Sequence, residues 1–366
     1  MKRLGILTFW NVPNYGAFMQ AYALQKVLEN RYTDYDVKQI PYINQRHYDE
    51  YYSIFKISGF NYWLINPSFY KNIFGKIYRK NDIFSLKKFL DYYKVIPNFK
   101  HSINEKLSLD TLVLGSDIIW DYSVPFFGND EYFFGRGINV SKKISYAPSF
   151  GSVKDGSDAP DYVVRGLREL DAISVRDLNS AEIVKTIINK EVPIVLDPTL
   201  LWDFSTDKNI VKPQIERYIV VYGSFFPDEL INEAKEYAEI HKLKLICLSS
   251  LDDDFDWCDE VVFQDEMNPF EWVGYFQHAD AVMTCTYHGL IFSLIFEKKI
   301  IFYMTDFILK KSKLLIENLG LSDVLIHYKH FNEKIDWNWN YSVINDKLDN
   351  MKKKSLDFLD GAIYDK

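Results

Sequence analysis

The feature that most constrains this chain is a rhythm of short apolar runs, each followed by a segment with helical spacing. Residues 4–10 (LGILTFW) read as a buried strand. In 16–30, Phe18, Tyr22, Leu24, Val27 and Leu28 are spaced for a helix, and 36–42 read as a second strand. Strand, helix, strand is the unit of a parallel α/β sheet, because parallel neighbours need a crossover that also covers the sheet. The same alternation predicts strands at 111–114, 143–147, 172–175 and 192–196, and helices at 161–170 and 180–189. Residues 203–215 (DFSTDKNIVKPQI) are polar, contain proline and show no period, so they read as a linker. The rhythm then restarts, with strands at 218–222, 243–248, 260–263, 281–285 and 300–304. Helices are expected at 228–241, 269–277, 287–296, 314–319 and 347–360. Two restarts imply two doubly wound α/β domains, 1–203 and 214–366, facing a cleft. In such folds ligands bind beyond the carboxyl ends of the strands. The residues directly after strands are therefore the ones to inspect.

Bulk properties narrow the class. A length of 366 residues suits about two cores at ~150 residues per domain. Cys247, Cys258 and Cys285 are odd in number and form no CxxC pair, which fits a reducing cytosol better than a disulfide or zinc framework. A net charge of −8 argues against a nucleic-acid partner, which would demand excess cations. Lys2 and Arg3 precede an apolar run that stops at Asn11 and Pro13 with no small-residue cleavage site, so it reads as a strand rather than a signal peptide. The longest apolar stretch, 290–296, is broken by Ser293 and falls short of the ~20 residues a membrane span needs. A soluble, cytoplasmic protein is expected. Segment 43–105, rich in Tyr, Phe, Asn, Lys and Ile, breaks the rhythm and reads as mixed helix and loop over the first sheet.

Several strand ends carry chemistry-bearing residues. Thr286 is a good helix N-cap, which puts His288 and Gly289 in the first turn. Free N–H groups and the helix dipole there favour an anion, Gly289 allows close approach, and a histidine can pass a proton to what is bound. The competing reading makes His288 a packed residue at the start of a buried helix. Asn14, Tyr15 and Gly16 form a short turn into a helix, either a plain cap or a close-approach site, and Gln20 lies one turn on. They are not a GxGxxG loop, so no dinucleotide is implied. Ser116 and Asp117 follow another strand and suit either sugar hydroxyls or a helix cap, with Trp120 a possible stacking surface. Arg176 directly follows a strand and suits a carboxylate or phosphate, or else an ion pair with Asp177 or Glu182. Asp197, Pro198 and Thr199 read as a structural Asx-type turn. There is no HExxH, HxH or Cys/His cluster for a metal, no Walker loop for ATP and no GxSxG nucleophile elbow.

In chain order, NYGAFMQAYALQ, VLGSDIIW, SYAPSFG, ISVRDLNSAEIV, VLDPTLLW and CTYHGLIFSLIFEKKIIFY resemble the polysaccharide pyruvyl transferase family. The resemblance spans residues 4 to about 304 and leaves 43–105 and the tail uncovered. It implies a fold similar to the GT-B glycosyltransferases, with two Rossmann-like domains facing a cleft. It also implies transfer of a pyruvyl group from phosphoenolpyruvate to a sugar as a ketal, in capsule, exopolysaccharide or cell-wall glycan synthesis. Phosphoenolpyruvate is then a co-substrate, and no other cofactor or metal is expected. His288 matches the family's motif histidine, the implied general acid. Arg176 matches an arginine implied to hold the donor, with Thr286, Tyr287 and Gly289 beside it. Asn14, Tyr15, Gly16, Gln20, Ser116, Asp117 and Trp120 fall on the side implied to face the acceptor. One departure stands out: many members carry arginine before the motif histidine, where this chain has Tyr287. Donor anchoring then falls on Arg176, the helix end, or lysines such as Lys310, Lys311 and Lys313.

Two other readings compete: a GT-B glycosyltransferase using a nucleotide sugar, and a non-catalytic glycan-binding protein. The acceptor sugar is expected on a nucleotide or lipid carrier. Tyr51, Tyr52, Phe55, Tyr62 and Trp63 read either as contacts to a lipid-linked sugar or the inner membrane face, or as ordinary packing.

Overall fold

In the computed structural model the described residues are 1–10, 12, 14–42, 44, 46–47, 109–124, 130–249, 255–263 and 267–364. Most of the aromatic segment 43–105 lies outside them, including Tyr51, Tyr52, Phe55, Tyr62 and Trp63.

The first apolar run forms β1 (Lys2–Leu7), and α1 (Tyr15–Arg31) crosses over to β2 (Tyr35–Gln39). With β3 (Thr111–Leu114) and β4 (Lys142–Ser145) they make a parallel sheet in the order β2-β1-β3-β4. Two helices follow, α2 (Asp161–Arg168) and α3 (Leu178–Ile188). The strands expected at 172–175 and 192–196 shrink to single parallel bridges, Ile144 with Ala172 and Val175 with Ile194. The cause is local. Ser145 and Ser174 exchange side-chain hydrogen bonds of 3.0 Å with each other's carbonyls, in place of a regular ladder. Pro193 has no N–H to donate, although its carbonyl accepts from Val175 at 3.1 Å.

The second sheet contains β5 (Tyr218–Tyr222), β6 (Lys244–Ser249), β7 (Glu260–Phe263), β8 (Ala281–Thr284) and β9 (Lys299–Phe302). All are parallel, in the order β7-β6-β5-β8-β9. Its helices are α4 (Asp228–His241), α5 (Pro269–His278), α6 (Tyr287–Ile295) and α7 (Asp306–Leu319). The short α8 (Phe331–Ile335) precedes the long terminal α9 (Tyr341–Tyr364). α7 begins well before the expected 314, because Thr305 caps it by accepting from the Ile308 N–H.

The two sheets do not fold as independent cores. Tyr15, Phe18, Met19 and Tyr22 of α1 share one apolar cluster with Val220, Ile246, Phe270, Trp272 and Phe292 of the second domain. α9 runs the other way. Although expected within 214–366, it packs Leu359, Ala362 and Ile363 against Leu4, Ile6 and Val37 of the first sheet. Polar ties accompany this packing: Asp360 accepts from Arg31 and Tyr32, and Lys142 donates to the Ala362 and Ile363 carbonyls. Among the described residues no helix is long and apolar enough to cross a membrane, and the three cysteines are free thiols.

Candidate active site

Residues after β3, β4, β8 and the bridges at 175 and 194 converge between the two sheets. On the second domain, Thr286 accepts the Gly289 N–H at 3.0 Å and starts α6, which places His288 in the first turn. On the first domain, Gly16 lies in the first turn of α1, behind the Asn14 cap that accepts from the Gly16 and Ala17 N–H groups. The two turns meet. A methyl group on Gly16 would lie 2.1 Å from His288 Nδ1, so only glycine admits the ring here.

The other imidazole nitrogen faces a buried charge cluster. His288 Nε2 is 3.8 Å from Asp197 Oδ2, and it is buried with no hydrogen-bond partner among the described residues. The same carboxylate oxygen accepts from Arg176 Nη1 at 2.9 Å and from Ser116 Oγ at 3.4 Å. Its other oxygen accepts from the Thr199 N–H and hydroxyl. Arg176 Nη2 stands 3.6 Å from Asp117 Oδ1, and its guanidinium lies over the Tyr287 ring at 4.7 Å. Asp117 and Ala147, both at strand ends here, hold left-handed backbone with φ of 79° and 56°. Such strain persists where the surroundings enforce it, and functional sites collect it.

The electrostatics follow from burial. Burial pulls the His288 pKa below the ordinary histidine value, while Asp197 and Asp117 oppose the shift. Burial also favours a neutral Asp197, but His288, Arg176 and the Thr199 hydrogen bonds outweigh it and hold the carboxyl below its usual range. Arg176 stays protonated because the carboxylates of Asp197 and Asp117 outweigh its desolvation. The cluster therefore sets an imidazole whose protonation is disfavoured beside a paired carboxylate and guanidinium.

The polysaccharide pyruvyl transferase family model matches residues 14–306. The chain belongs to this family. Membership makes the protein a transferase. No curated protein matches the chain. The solved structure of S. aureus MnaA with UDP is similar at 10% identity, covering 99% of this chain and 96% of that one, with a TM-score of 0.50. A putative UDP-N-acetylglucosamine 2-epimerase from Listeria monocytogenes is similar at 8% identity, covering 96% and 91%, with a TM-score of 0.51. The glycosyltransferase SnogD from Streptomyces nogalater aligns at 10% identity over 98% and 96%, with a TM-score of 0.44. With its two parallel sheets and the likeness to the first two of these structures, the fold of this pyruvyl transferase family member is the GT-B-like pair of Rossmann-like domains.

The other residues singled out in the sequence divide. Tyr15 bridges the domains, its hydroxyl donating to the Met267 carbonyl at 2.5 Å, and is buried. Gln20 is wholly buried and donates to Thr8, Phe9 and Ala17, so it braces the β1–α1 turn. Trp120 is a core residue rather than a sugar platform. It is 0% exposed, stacks on Phe134 and donates to the Phe133 carbonyl. Gly289 serves packing: a methyl there would lie 2.1 Å from Thr284 Oγ1. Lys310 and Lys313 are exposed, and Lys313 stands 3.8 Å from Glu317 on the same helix. Lys311 is the lysine of this run that turns inward.

Sequence reasoning missed Asp197, which it read as a turn former. The turn is real, since Asp197 starts a 3₁₀ turn at Pro198–Leu200 through one oxygen. A carboxylate has two, and the second organises the cluster. The available signal was its position directly after a run at 192–196. Elsewhere, Glu229, Glu233 and His330 bring three polar side-chain atoms within 4.8 Å of one another. There Glu233 accepts from His330 Nδ1 at 2.7 Å and from the Phe331 N–H at 2.6 Å, which caps α8.

Proposed function

We propose that this family member transfers the pyruvyl group of phosphoenolpyruvate to two hydroxyls of a sugar, forming a cyclic ketal and releasing phosphate. His288 is the general acid. It protonates the methylene carbon of the enol, leaving an oxocarbenium-like centre. A first hydroxyl adds there and its proton returns to His288, while the proton of the second leaves with the phosphate. Phosphate then leaves, and a second hydroxyl closes the ring and gives up its own proton. Written this way, the step draws on no metal and no cofactor beyond the donor.

One observation supports the reading most. An imidazole whose pKa is depressed by burial sits in a helix's first turn, between the domains, facing the Arg176–Asp197 pair. A dianionic donor beside that helix end would raise the imidazole's pKa, so protonation would accompany binding. Arg176 and the N-terminus of α6 hold the donor's charge. Ser116, Asp117 and the turn at Asn14–Gly16 face the acceptor, a sugar on a nucleotide or lipid carrier. The setting is glycan synthesis on the cytoplasmic side.

The test is to incubate the protein with phosphoenolpyruvate and a panel of nucleotide- and lipid-linked hexoses, and to read ketal adducts by mass spectrometry. His288→Ala should abolish the adduct, by ~10²–10⁴-fold for a lost general acid. Hexose transfer from a nucleotide sugar without any ketal would overturn the reading in favour of a glycosyltransferase. Unchanged cellular function with His288→Ala would favour a glycan-binding protein.

A further inference from the structure

Arg176 reaches the site from the first domain, directly after the bridge between Val175 and Ile194. Its guanidinium is withdrawn from water, with 2% of the side chain exposed. Hydrogen bonds alone do not fix its plane. Nη1 donates to Asp197 at 2.9 Å, and Nη2 stands 3.6 Å from Asp117, too far for a hydrogen bond. Nε is buried with no hydrogen-bond partner among the described residues. A flat group held at one nitrogen can still turn about that contact.

The second domain adds the missing constraint. Tyr287 opens α6, and its ring centre lies 4.7 Å from Arg176 Cζ, with the guanidinium over the ring. A cation over an aromatic face is drawn to the negative side of its quadrupole, most strongly where water is excluded, and a planar guanidinium also stacks. Tyr287 is itself 8% exposed and shares an apolar cluster with Leu196, Leu200, Leu290 and Leu294. Those neighbours make the ring a fixed surface. The same ring stands 5.4 Å from the His288 imidazole, at an interplanar angle of 77°. One side chain thus sets the spacing between the cation of one domain and the imidazole of the other.

We propose that Tyr287 is a positioning residue, whose ring face fixes the plane of the Arg176 guanidinium across the domain boundary and so aims it at the donor's anionic group. It acts through Arg176, and it needs the aromatic face rather than the hydroxyl. The aim at phosphoenolpyruvate rests on the function proposed above, whereas the hold of the ring on the guanidinium does not.

The test is Tyr287→Phe, followed by phenylalanines at this position that bear one to three ring fluorines. Each fluorine drains the negative face and leaves the ring's size nearly unchanged, so the series should fold. Tyr287→Phe should keep kcat, and KM for phosphoenolpyruvate, within about twofold of wild type. KM should then climb with each fluorine, roughly tenfold by the third, with kcat within about threefold, because a lost ground-state contact raises KM alone. A flat KM across the series, a loss confined to kcat, or a Tyr287→Phe as impaired as the trifluoro member overturns the proposal. Denaturant unfolding without donor gives a second readout. Fluorine adds apolar surface, so packing alone predicts a stability that holds or rises along the series. A midpoint that falls stepwise supports a cation held on the ring face, and one that holds or rises overturns it. Should wild type form no ketal, the functional reading falls, while the unfolding series still decides the role of Tyr287.

Discussion

Gly16 brings the first domain's backbone up against the imidazole of His288. Its backbone is helical, so alanine fits the local conformation, but the added methyl would meet His288 Nδ1 at 2.1 Å. Gly16→Ala is expected to fold with a near-normal melting temperature and to lose activity at least tenfold through a displaced His288. Paired thermal-melt and kinetic measurements check this, and full activity would place the imidazole's working position elsewhere. Asp197 is the opposite case, a buried charge with several dependants. Asp197→Ala strands the Arg176 guanidinium without its counter-ion, which should cost ~3–5 kcal/mol in denaturant unfolding. The sequence made Gly16 and His288 visible because both stand at the start of a helix after a strand. It gave no sign that they touch, since they lie in different domains. Trp120 misled for a related reason: an indole near a strand end looks like a platform until the rings of Phe134 and Phe150 cover it and its N–H is tied to the Phe133 carbonyl.

Among the elements, α6 shows how a cap sets chemistry. Thr286 accepts the Gly289 N–H, and Thr284 in turn donates to the Tyr222 carbonyl, so the turn holding His288 is anchored to β5. Thr286→Ala should cost ~1 kcal/mol of stability and lower kcat more than the stability loss explains. An activity loss no larger than the fall in folded fraction would reduce Thr286 to a plain cap. α9 belongs to the same scale. Leu359 is completely buried against the first sheet, so Leu359→Ala should cost ~2–5 kcal/mol. Most elements were legible because apolar spacing is a local property. α1, β3, β5, α4 and β7 lie within a residue or two of their expected ranges. Elements whose length depends on partners were not. The runs at 172–175 and 192–196 lost ladder positions to serine hydroxyls and a proline. α9 extended further than its own pattern because another domain supplies its apolar face.

For the whole molecule, burial of histidine couples pH to both stability and turnover. Burial lowers the His47 pKa to about 3, from an ordinary 6.5, and lowers that of His288 too. In the unfolded chain both take up protons near the ordinary value, so acid favours unfolding. Stability should fall as pH drops below about 6.5, by up to ~1.4 kcal/mol per pH unit for each group. Denaturant titrations across that range, with His47→Gln showing a shallower slope, test the sign. Turnover should run the other way at its alkaline end. A general acid must be protonated, so rate falls as pH rises through its pKa. The alkaline limb of kcat, which reports the bound enzyme, is expected at higher pH than that of kcat/KM, which reports the free enzyme. Coincident limbs would mean that donor binding does not charge His288.

By itself the amino-acid sequence determined the α/β class, the two restarts, the family and the histidine at a helix start, because apolar period, caps and motif order are written along the chain. Only the tertiary structure decided what that histidine faces. Asp197, Arg176, Gly16 and Lys311 reach one place from distant positions through the packing of two sheets. Such contacts between far-apart side chains have no local signature. They exist once burial has forced the charges to find each other.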